Sequence, residues 1–342
     1  MISIVVPCYN TEKTIARTVD GLLRQSYEDY QIILVDDGSE DNTSHICDKY
    51  ADNDQRVKAI HQLNTGLMGA WKRGVLESDG EYIGFCDSDD YLDDDYIRRV
   101  SDTIEEYQPD LIAFGLVSEY SDGTSTRIIN KLPEGYYEEK AIKNTIFPKL
   151  LSDGGMQSEF LIKSRWTKVF RKSTLLSIME ELNENVSIGE DQLALFAVMQ
   201  VVRSLYCMGD YCPYHYIRTS DSMIGRFDEC IFDKTDLLYK EMQNIARSHG
   251  YVYNEQIMND RLSTTLLHVK KYICRSRMGY WSTRGQLQKV RKSQEFIQCI
   301  RGVSIDKYDV PSKIFAILFI LKMYLPLYYL TRLAGRLRGQ DV

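Results

Sequence analysis

Carboxylates are concentrated in two short turns, and each turn follows a run of residues typical of a buried strand. The segment 87–90 (DSDD) follows the apolar run 82–86, and the segment 36–39 (DDGS) follows the run 31–35. Carboxylates one residue apart at a strand end converge on one point, where Mg²⁺ or Mn²⁺ shared with a diphosphate finds the oxygen ligands that it prefers. Like charges clustered there repel unless a cation is bound. Asp87, Asp89 and Asp90 are therefore candidate metal ligands.

The turn 36–39 permits two interpretations. A carboxylate at the end of such a strand commonly accepts a hydrogen bond from a nucleotide base or ribose, and Gly38 permits the sharp turn. Alternatively, the segment is a plain strand-to-helix turn capped by Ser39 or Asp41. These residues by themselves leave both open.

The two turns must be positioned by a sheet, and the flanking sequence predicts one. Apolar periodicity predicts strands alternating with helices, which is typical of an α/β fold with a mostly parallel sheet. The predicted strands are 2–6, 31–35, 57–61 and 82–86, and the predicted helices are 11–25, 42–51 and 68–77. Ligands bind beyond the carboxyl ends of such strands, where the polar turns fall.

The second half of the chain is less regular. Residues 111–117 (LIAFGLV) predict a further strand and 121–126 the turn of a hairpin, whereas residues 140–208 are interpreted as helices and loops. Neither GxGxxG nor GxxxxGK[ST] occurs, so a bound nucleotide would have its diphosphate neutralised by a metal rather than by a glycine-rich loop.

Charge is distributed unevenly along the 342 residues. Residues 261–342 hold 16 Lys and Arg against 4 Asp and Glu, whereas the first 260 residues hold 26 against 45. A basic tail on an acidic body indicates an anionic partner, for which a membrane surface is favoured. Nucleic acid is not expected, because the acidic body would repel it.

The tail contains an apolar stretch, 314–330, interrupted by Lys322 and Pro326. A spanning helix needs about 20 apolar residues, so an amphipathic helix lying in the membrane interface is favoured over a span. The alternative is a terminal helix packed on the body of the protein. Eight scattered cysteines without a CxxC pair, and no signal peptide, predict reduced thiols in a cytoplasmic protein.

Four segments in order resemble the family 2 glycosyltransferases of the GT-A fold, the kind that builds bacterial capsules and other surface polysaccharides. They are 7–10 (PCYN), 35–43 (VDDGSEDNT), 64–66 (NTG) and 80–90 (GEYIGFCDSDD). Further along, 166–170 (WTKVF) resembles the acceptor-side motif, 189–191 (GED) the ED motif, and 214–218 (YHYIR) with Ser222 the segment that follows. The resemblance covers about residues 1–225.

The resemblance implies roles for the donor-binding residues. Pro7, Tyr9 and Asp37 would form the pocket for the base, with Tyr9 stacking on it and Asp37 accepting the imide N–H of a uracil. Asp89 would face the ribose and the metal, with Asp87 and Asp90 completing the cation site.

Roles for the remaining motif residues follow from the same resemblance. Asp191 would be the general base, with Glu190 and Trp166 on the acceptor side, and Arg218 would contact the diphosphate. Where the family often has Ala-Arg-Asn, this chain has Ala70-Trp71-Lys72. The resemblance assigns Lys72 to the nucleotide, where its single ammonium charge would replace the planar guanidinium of the family's arginine.

Together these features predict a Rossmann-like GT-A domain for nucleotide-diphospho-sugars with a helical, basic C-terminal extension. The predicted segments are 1–105 for the donor half, 106–225 for the acceptor half, 226–310 for a helical extension and 311–342 for a peripheral membrane helix. The implied enzyme is an inverting, Mn²⁺- or Mg²⁺-dependent transferase moving a hexosyl or N-acetylhexosaminyl group from a UDP-sugar to a glycan hydroxyl.

The implied acceptor is lipid-linked and lies at the inner face of the cytoplasmic membrane. The alternatives are a transferase for soluble or protein acceptors and a non-catalytic nucleotide-sugar-binding protein. The residues leave the transferred sugar and the oligomeric state open.

Overall fold

The computed structural model describes residues 1–156, 159–218, 227–251, 254–276 and 278–337, and the chain divides into two compact units. The sheet unit comprises Met1–Phe147 and Leu161–Thr219, and the helical unit comprises Pro148–Phe160 and Ser220–Val342. Each unit is therefore built from two separate stretches of the chain. The predicted boundary near residue 225 lies outside the described residues, and the four predicted segments stay a prediction.

The sheet unit contains a large sheet and a small one. The strands are β1 (Ile2–Cys8), β2 (Tyr30–Asp36), β3 (Val57–His61), β4 (Tyr82–Phe85), β5 (Tyr91–Leu92), β6 (Leu111–Ala113), β7 (Leu116–Glu119), β8 (Ser125–Ile128), β9 (Gly135–Glu138), β10 (Lys168–Arg171), β11 (Ser204–Cys207) and β12 (Tyr214–Ile217). The large sheet has the order β3-β2-β1-β4-β10-β6-β11-β9, and the small sheet has the order β5-β12-β7-β8.

Helices connect these strands as the alternating sequence pattern predicts. They are α1 (Ile15–Leu23), α2 (Thr43–Asn53), α3 (Gly66–Glu77), α4 (Tyr96–Tyr107), the single turn α5 (Glu139–Ala141), α6 (Lys172–Ile178) and α7 (Glu190–Val201), with a π-helical turn at Ile142–Ile146 and 3₁₀ turns at Arg165–Thr167 and Met179–Glu181. The first four strands of the large sheet run parallel, and every residue of β1 and of β4 is buried. The predicted α/β fold is confirmed.

Strand β10 runs antiparallel between β4 and β6, with Val169 opposite Gly84 and Ile112. Its antiparallel direction places the start of β10 beside the end of β4, where the segment 87–90 begins. The expectation that 140–208 holds only helices and loops was wrong, because β10 and β11 lie within it. Both are four-residue strands whose pairing depends on partners distant in sequence.

Residues 111–117 form two strands rather than the single predicted strand. β6 belongs to the large sheet and β7 to the small one, and the chain changes sheets at Gly115. A Cβ atom at Gly115 would lie 2.5 Å from Cys212 Sγ and 2.7 Å from the Ile128 carbonyl oxygen. Because only glycine fits this close approach, Gly115 marks the break in the apolar run. The predicted hairpin is confirmed as the antiparallel pair β7 and β8.

The helical unit is built on a long helix, α9 (Asn254–Arg275), whose apolar face is covered by its neighbours. Leu262, Leu266, Val269 and Ile273 lie fully buried in one core with Phe319. The helices are α8 (Ile231–Ser248), α9 (Asn254–Arg275), α10 (Tyr280–Lys292), α11 (Gln294–Gly302), α12 (Val310–Ile320) and α13 (Tyr324–Leu337). The predicted helical C-terminal extension is confirmed.

The apolar stretch 314–330 forms the two helices α12 and α13, which meet at Lys322, a residue with a left-handed φ of 62°. Phe319 and Leu327 are fully buried, as a packed terminal helix requires, whereas Ile317 and Leu321 are 44% and 62% exposed. None of the described helices combines the length and apolar character needed to cross a bilayer.

Candidate functional site

The polar turns after β1 and β2 are joined by hydrogen bonds. The Asn10 N–H donates to Ser39 Oγ at 3.0 Å, and the Glu40 N–H donates to Asn10 Oδ1 at 2.8 Å. Gly38 has a φ of +73°, and a Cβ there would lie 2.9 Å from the Asn64 backbone nitrogen. The two turns therefore meet at one edge of the sheet, as the parallel strand ends predict.

Asp37 is buried beneath this edge and organises the next turn of the chain. Its Oδ1 accepts the Thr65 N–H at 2.9 Å and the Gln62 side-chain amide at 2.7 Å, and its Oδ2 accepts the Gly66 N–H at 2.8 Å. A carboxylate oxygen has two lone pairs, so Oδ2 can accept one further donor. Asp37 thus has a structural role that sequence analysis missed, and its Oδ2 can still accept a hydrogen bond from a nucleobase.

The other predicted donor contacts occupy different environments. Pro7 is buried within β1, and Tyr9, just beyond it, is 48% exposed with its ring available for stacking. Lys72 Nζ lies 2.6 Å from Glu184 Oε1, in an ion pair. Arg218 donates from Nε to Ser118 Oγ at 2.7 Å and its guanidinium lies over the Tyr120 ring. The donor roles of all four residues stay predictions.

Asp90 is the most enclosed carboxylate of the segment 87–90, with no exposed surface. Its Oδ2 accepts the Tyr214 hydroxyl at 2.7 Å, and its Oδ1 accepts the Ile217 N–H at 2.8 Å. The same Tyr214 hydroxyl accepts the Asp87 N–H at 3.0 Å. Asp90 and Tyr214 therefore hold the turn that presents Asp87 and Asp89.

Burial raises the pKa of each of the three carboxyls of this turn. For Asp90 the negative charges of Asp87 and Asp89 raise the pKa further. For Asp87 the Arg165 guanidinium opposes the effect of burial, while Asp191 and Asp89 add to it. The pKa of Asp89 is raised chiefly by burial, and a hydrogen bond from its own backbone N–H opposes this effect. The turn therefore concentrates negative charge that solvent does not fully stabilise, which favours the binding of a cation.

Asp87 and Asp89 are the carboxylates of the turn 87–90 whose oxygens are least occupied by hydrogen bonds, so they suit the coordination of a cation best. Asp87 uses Oδ1 for Arg165, and Asp89 accepts its own backbone N–H, so both retain lone pairs. Within the described residues, no group of three or more His, Cys, Asp or Glu side chains is arranged as a metal site. Two carboxylates nevertheless fit Mg²⁺ or Mn²⁺, which commonly take the remaining ligands from substrate phosphates and water. The role of Asp90 as a direct ligand stays a prediction.

Glu190 and Asp191 lie in the first turn of α7, which begins after Gly189 with a left-handed φ of 66°. A helix N-terminus favours anionic side chains. Burial raises the pKa of Glu190, and the adjacent Asp191 raises it further. Asp191 is 20% exposed, so its carboxylate is partly accessible to a substrate.

Arg165 joins the two acidic groups. One guanidinium nitrogen, Nη2, donates to Asp87 Oδ1 at 2.6 Å, and the other, Nη1, donates to Asp191 Oδ1 at 2.6 Å. The turn 165–167 precedes β10, whose antiparallel pairing with β4 puts this side chain beyond the end of β4. Sequence analysis missed Arg165, because its partners lie 78 and 26 residues away.

Trp166, the next residue, is 8% exposed and belongs to an aromatic stack. Its ring lies 4.2 Å from the Tyr214 ring centroid and 5.6 Å from that of Tyr216. Because the Tyr214 hydroxyl donates to Asp90, this stack supports the turn that contains the acidic residues. Its predicted acceptor contact stays a prediction. Ser222 lies outside the described residues.

The chain resembles known glycosyltransferases in sequence and a solved structure in fold. The model of the family described as "Glycosyl transferase family 2" matches residues 3–164. Glycosyltransferase GlyA of Streptococcus pneumoniae is 32% identical over 191 residues, which are 56% of this chain and 27% of GlyA. Putative glycosyltransferase EpsH of Bacillus subtilis is 28% identical over 241 residues, 70% of this chain and 67% of EpsH.

The chain thus spans about a quarter of the length of GlyA. Among solved structures, TarS 1–349 of S. aureus in complex with UDP-GlcNAc superimposes with a TM-score of 0.66 at 18% identity, covering 99% of this chain and 92% of that one. At this identity the likeness shows a shared fold.

Proposed function

We propose that the chain, whose residues 3–164 match the model of glycosyl transferase family 2, transfers a sugar from a UDP-sugar to a hydroxyl group of a glycan, with inversion at the anomeric carbon. The observation that carries the proposal is that buried Arg165 contacts both Asp87, in the turn after β4, and Asp191, in the first turn of α7, and so brings two acidic groups together. One group suits the departing diphosphate and the other suits the incoming hydroxyl.

The proposed chemistry assigns a separate task to each group. Asp191 accepts the proton of the acceptor hydroxyl as that oxygen attacks the anomeric carbon from the face opposite the diphosphate. General-base assistance of this kind contributes about 10² to 10⁴ in rate. A divalent cation at Asp87 and Asp89 would supply Lewis-acid stabilisation of the charge on the departing diphosphate.

The remaining donor contacts orient the nucleotide. The Tyr9 ring stacks on the base, beside buried Pro7, and Asp37 Oδ2 accepts the base imide N–H with its second lone pair. We assign Lys72 and Arg218 to the nucleotide and its diphosphate, which requires both to exchange the protein partners described above. The complex of TarS 1–349 with UDP-GlcNAc supports the choice of a UDP-sugar, and an N-acetylhexosaminyl or hexosyl group is the proposed cargo.

The experiment uses Asp191→Asn, which keeps the shape of the side chain and removes the proton acceptor. Transfer from radiolabelled UDP-sugars should fall at least about 10²-fold, while calorimetric donor affinity in Mn²⁺ changes little. GDP-sugars serve as the donor control. Near-normal turnover of the variant at saturating acceptor would contradict the proposal, and donor binding without any transfer would favour a non-catalytic nucleotide-sugar-binding protein.

We further propose that the helical unit holds the enzyme peripherally on an anionic membrane at the inner face of the cytoplasmic membrane, where the acceptor is lipid-linked. Large apolar side chains at intervals of three and four residues lie exposed along one side of α12, at Val310, Ile314, Ile317 and Leu321. We call these four residues the apolar strip. Exposed Lys322 follows it directly, which suits anionic headgroups.

The opposite side of α12 forms part of the core of the helical unit, so deletion of the tail would unfold the unit rather than test membrane binding. Point substitutions avoid this problem. Ile317→Ser with Leu321→Ser should weaken sedimentation of the full chain with phosphatidylglycerol vesicles. Leu76→Ser with Leu176→Ser, two exposed leucines of the sheet unit, should not. Equal sedimentation of the two double variants would contradict membrane binding and remove the main support for a lipid-linked acceptor.

A further inference from the structure

Arg165 occupies a position that the proposed reaction leaves without a task. Its side chain is 3% exposed, and its guanidinium lies 5.7 Å from the Phe85 ring centroid. Buried arginines are rare unless they are paired, and this one is paired at both ends, with Asp87 and with Asp191. The pairing is therefore specific to two carboxylates on different elements.

The two partners belong to opposite sides of the site. Asp87 follows β4 and lies in the donor-side turn, whereas Asp191 lies in the first turn of α7 on the acceptor side. The planar guanidinium has a fixed separation between Nη1 and Nη2, and each nitrogen contacts one carboxylate oxygen at 2.6 Å. A single rigid group thus fixes the distance between the two carboxylates.

Electrostatics require such a bridge. Asp87 and Asp191 carry like charges, and Glu190 lies next to Asp191, so the three carboxylates would repel one another in a poorly solvated site. The positive charge between them offsets this repulsion. Replacement by an apolar side chain of similar volume would remove the charge and leave both half-buried carboxylates without this partner.

We propose that Arg165 is a positioning residue that holds the Asp191 carboxylate at a fixed distance from the donor-side carboxylate Asp87, so that the base faces the acceptor hydroxyl. This inference rests on the proposed function, because it requires Asp191 to be the base. Arg165 acts through Asp191 and does not itself exchange a proton. A misplacement of about 1 Å in such a group can lower the rate by about 10².

Arg165→Lys separates geometry from charge. Lysine keeps the positive charge but is a single point donor, so it cannot contact both carboxylates with one rigid fork. We expect kcat to fall about 10- to 100-fold, with the KM for the donor changed less than about threefold. Calorimetric UDP affinity measured in excess chelator should be unchanged. Arg171→Lys, at the other end of β10 and paired with Glu81 and Asp110, is the matched control and should keep kcat.

A double-mutant cycle distinguishes positioning from a general structural effect. If Arg165 acts through Asp191, then Arg165→Lys should cause no further loss of the residual transfer rate in an Asp191→Asn background. Additive losses would overturn the proposal, as would a normal kcat or a loss confined to donor affinity. If neither Arg165→Lys nor Arg165→Gln folds, Arg165 is a folding residue and the proposal is again wrong.

The cycle also separates this inference from the proposed function. Near-normal turnover of Asp191→Asn alone contradicts Asp191 as the base. A large loss in Asp191→Asn combined with additive effects of Arg165→Lys contradicts only the positioning role.

Discussion

The sheet unit and the helical unit differ in the exceptions to ordinary burial on which their proposed roles rest. The sheet unit encloses charged groups, among them Asp90 with no exposed surface and Arg165 at 3%. The helical unit encloses an apolar core but leaves Ile317, Leu321 and Trp281 exposed, the last at 74%. Buried polar groups and exposed large apolar groups are the informative exceptions in a folded protein.

This difference in burial indicates what kind of ligand each unit suits. Buried carboxylates cost free energy unless a partner compensates them, so the exceptions of the sheet unit suit the cation and the polar substrate proposed above. Exposed apolar side chains are compensated by an apolar partner, so the exceptions of the helical unit suit the proposed membrane surface. We therefore propose a small-molecule site in the sheet unit and a docking surface on the helical unit.

The largest expected effect lies on the buried side of α12. Phe319→Ala removes a fully buried ring from the core of the helical unit and should lower the free energy of unfolding by about 3 to 5 kcal/mol. Ile317→Ala, two residues earlier and 44% exposed, should change it by no more than about 0.5 kcal/mol. Urea unfolding followed by far-ultraviolet circular dichroism measures both. Equal effects would mean that α12 does not have one buried and one exposed side.

Acid should act on the two units with opposite sign. Burial, together with the positive charge of Lys271 and against the negative charge of Asp228, lowers the pKa of His268 to about 4. Since an unfolded histidine titrates near 6.5, the unfolded state binds more protons between these values. Stability from neutral His268 is therefore present above pH 6.5 and is lost as the pH falls towards 4, by up to about 3 kcal/mol. His268→Gln should reduce this pH dependence in thermal unfolding.

In the sheet unit, the hydrogen bond to Asp36 raises the pKa of His61, with a further contribution from Asp48 against partial burial. The stability that this pairing contributes is present below pH 6.5 and is lost as the pH rises through the folded-state pKa. His61→Gln should therefore weaken the sheet unit at low pH more than at high pH. The same sign of pH dependence for both histidine variants would contradict the contrast.

The smallest expected effect is on donor binding. Asp89→Asn should weaken UDP-sugar affinity measured in Mn²⁺ by about tenfold or more, because it removes a proposed cation ligand. Affinity measured in excess chelator should change little. Asp94→Asn, in the neighbouring turn and paired with Arg24, is the control and should behave like the unchanged chain. A loss of equal size with and without the metal would indicate a direct contact of Asp89 with the ribose instead.

Local pattern was sufficient to predict the parallel half of the large sheet. The β-branched runs at β1 and β2 predict the strands. The polar turns that follow them predict the edge of the sheet at which their residues meet. The same reasoning failed at β10 and β11, where four residues carry no readable alternation and the pairing partners are distant in sequence. It also failed at Gly115, because a change of sheet depends on contacts with residues 128 and 212.

The sequence likewise named only part of the candidate site. Grouped carboxylates after a predicted strand named Asp87 and Asp89 as candidates, and the resemblance to the glycosyltransferase family named Asp191. The roles of all three stay predictions. Arg165 could not be named, since an isolated arginine acquires meaning only when the antiparallel strand β10 brings it to the end of β4. The two hydrogen bonds that enclose Asp90 were likewise invisible, because Tyr214 lies 124 residues away.

The division of the helical unit into two stretches has a consequence for biosynthesis. Leu150 and Leu151 are buried, and the Leu151 N–H donates to Gln256 Oε1 at 3.2 Å. At translation rates of about 5 to 20 residues per second, Gln256 is synthesised roughly 5 to 20 s after Leu151. During that interval the Leu151 N–H lacks its later acceptor, and we expect the apolar side chains of Leu150 and Leu151 to be accessible to nascent-chain chaperones until α9 has been synthesised.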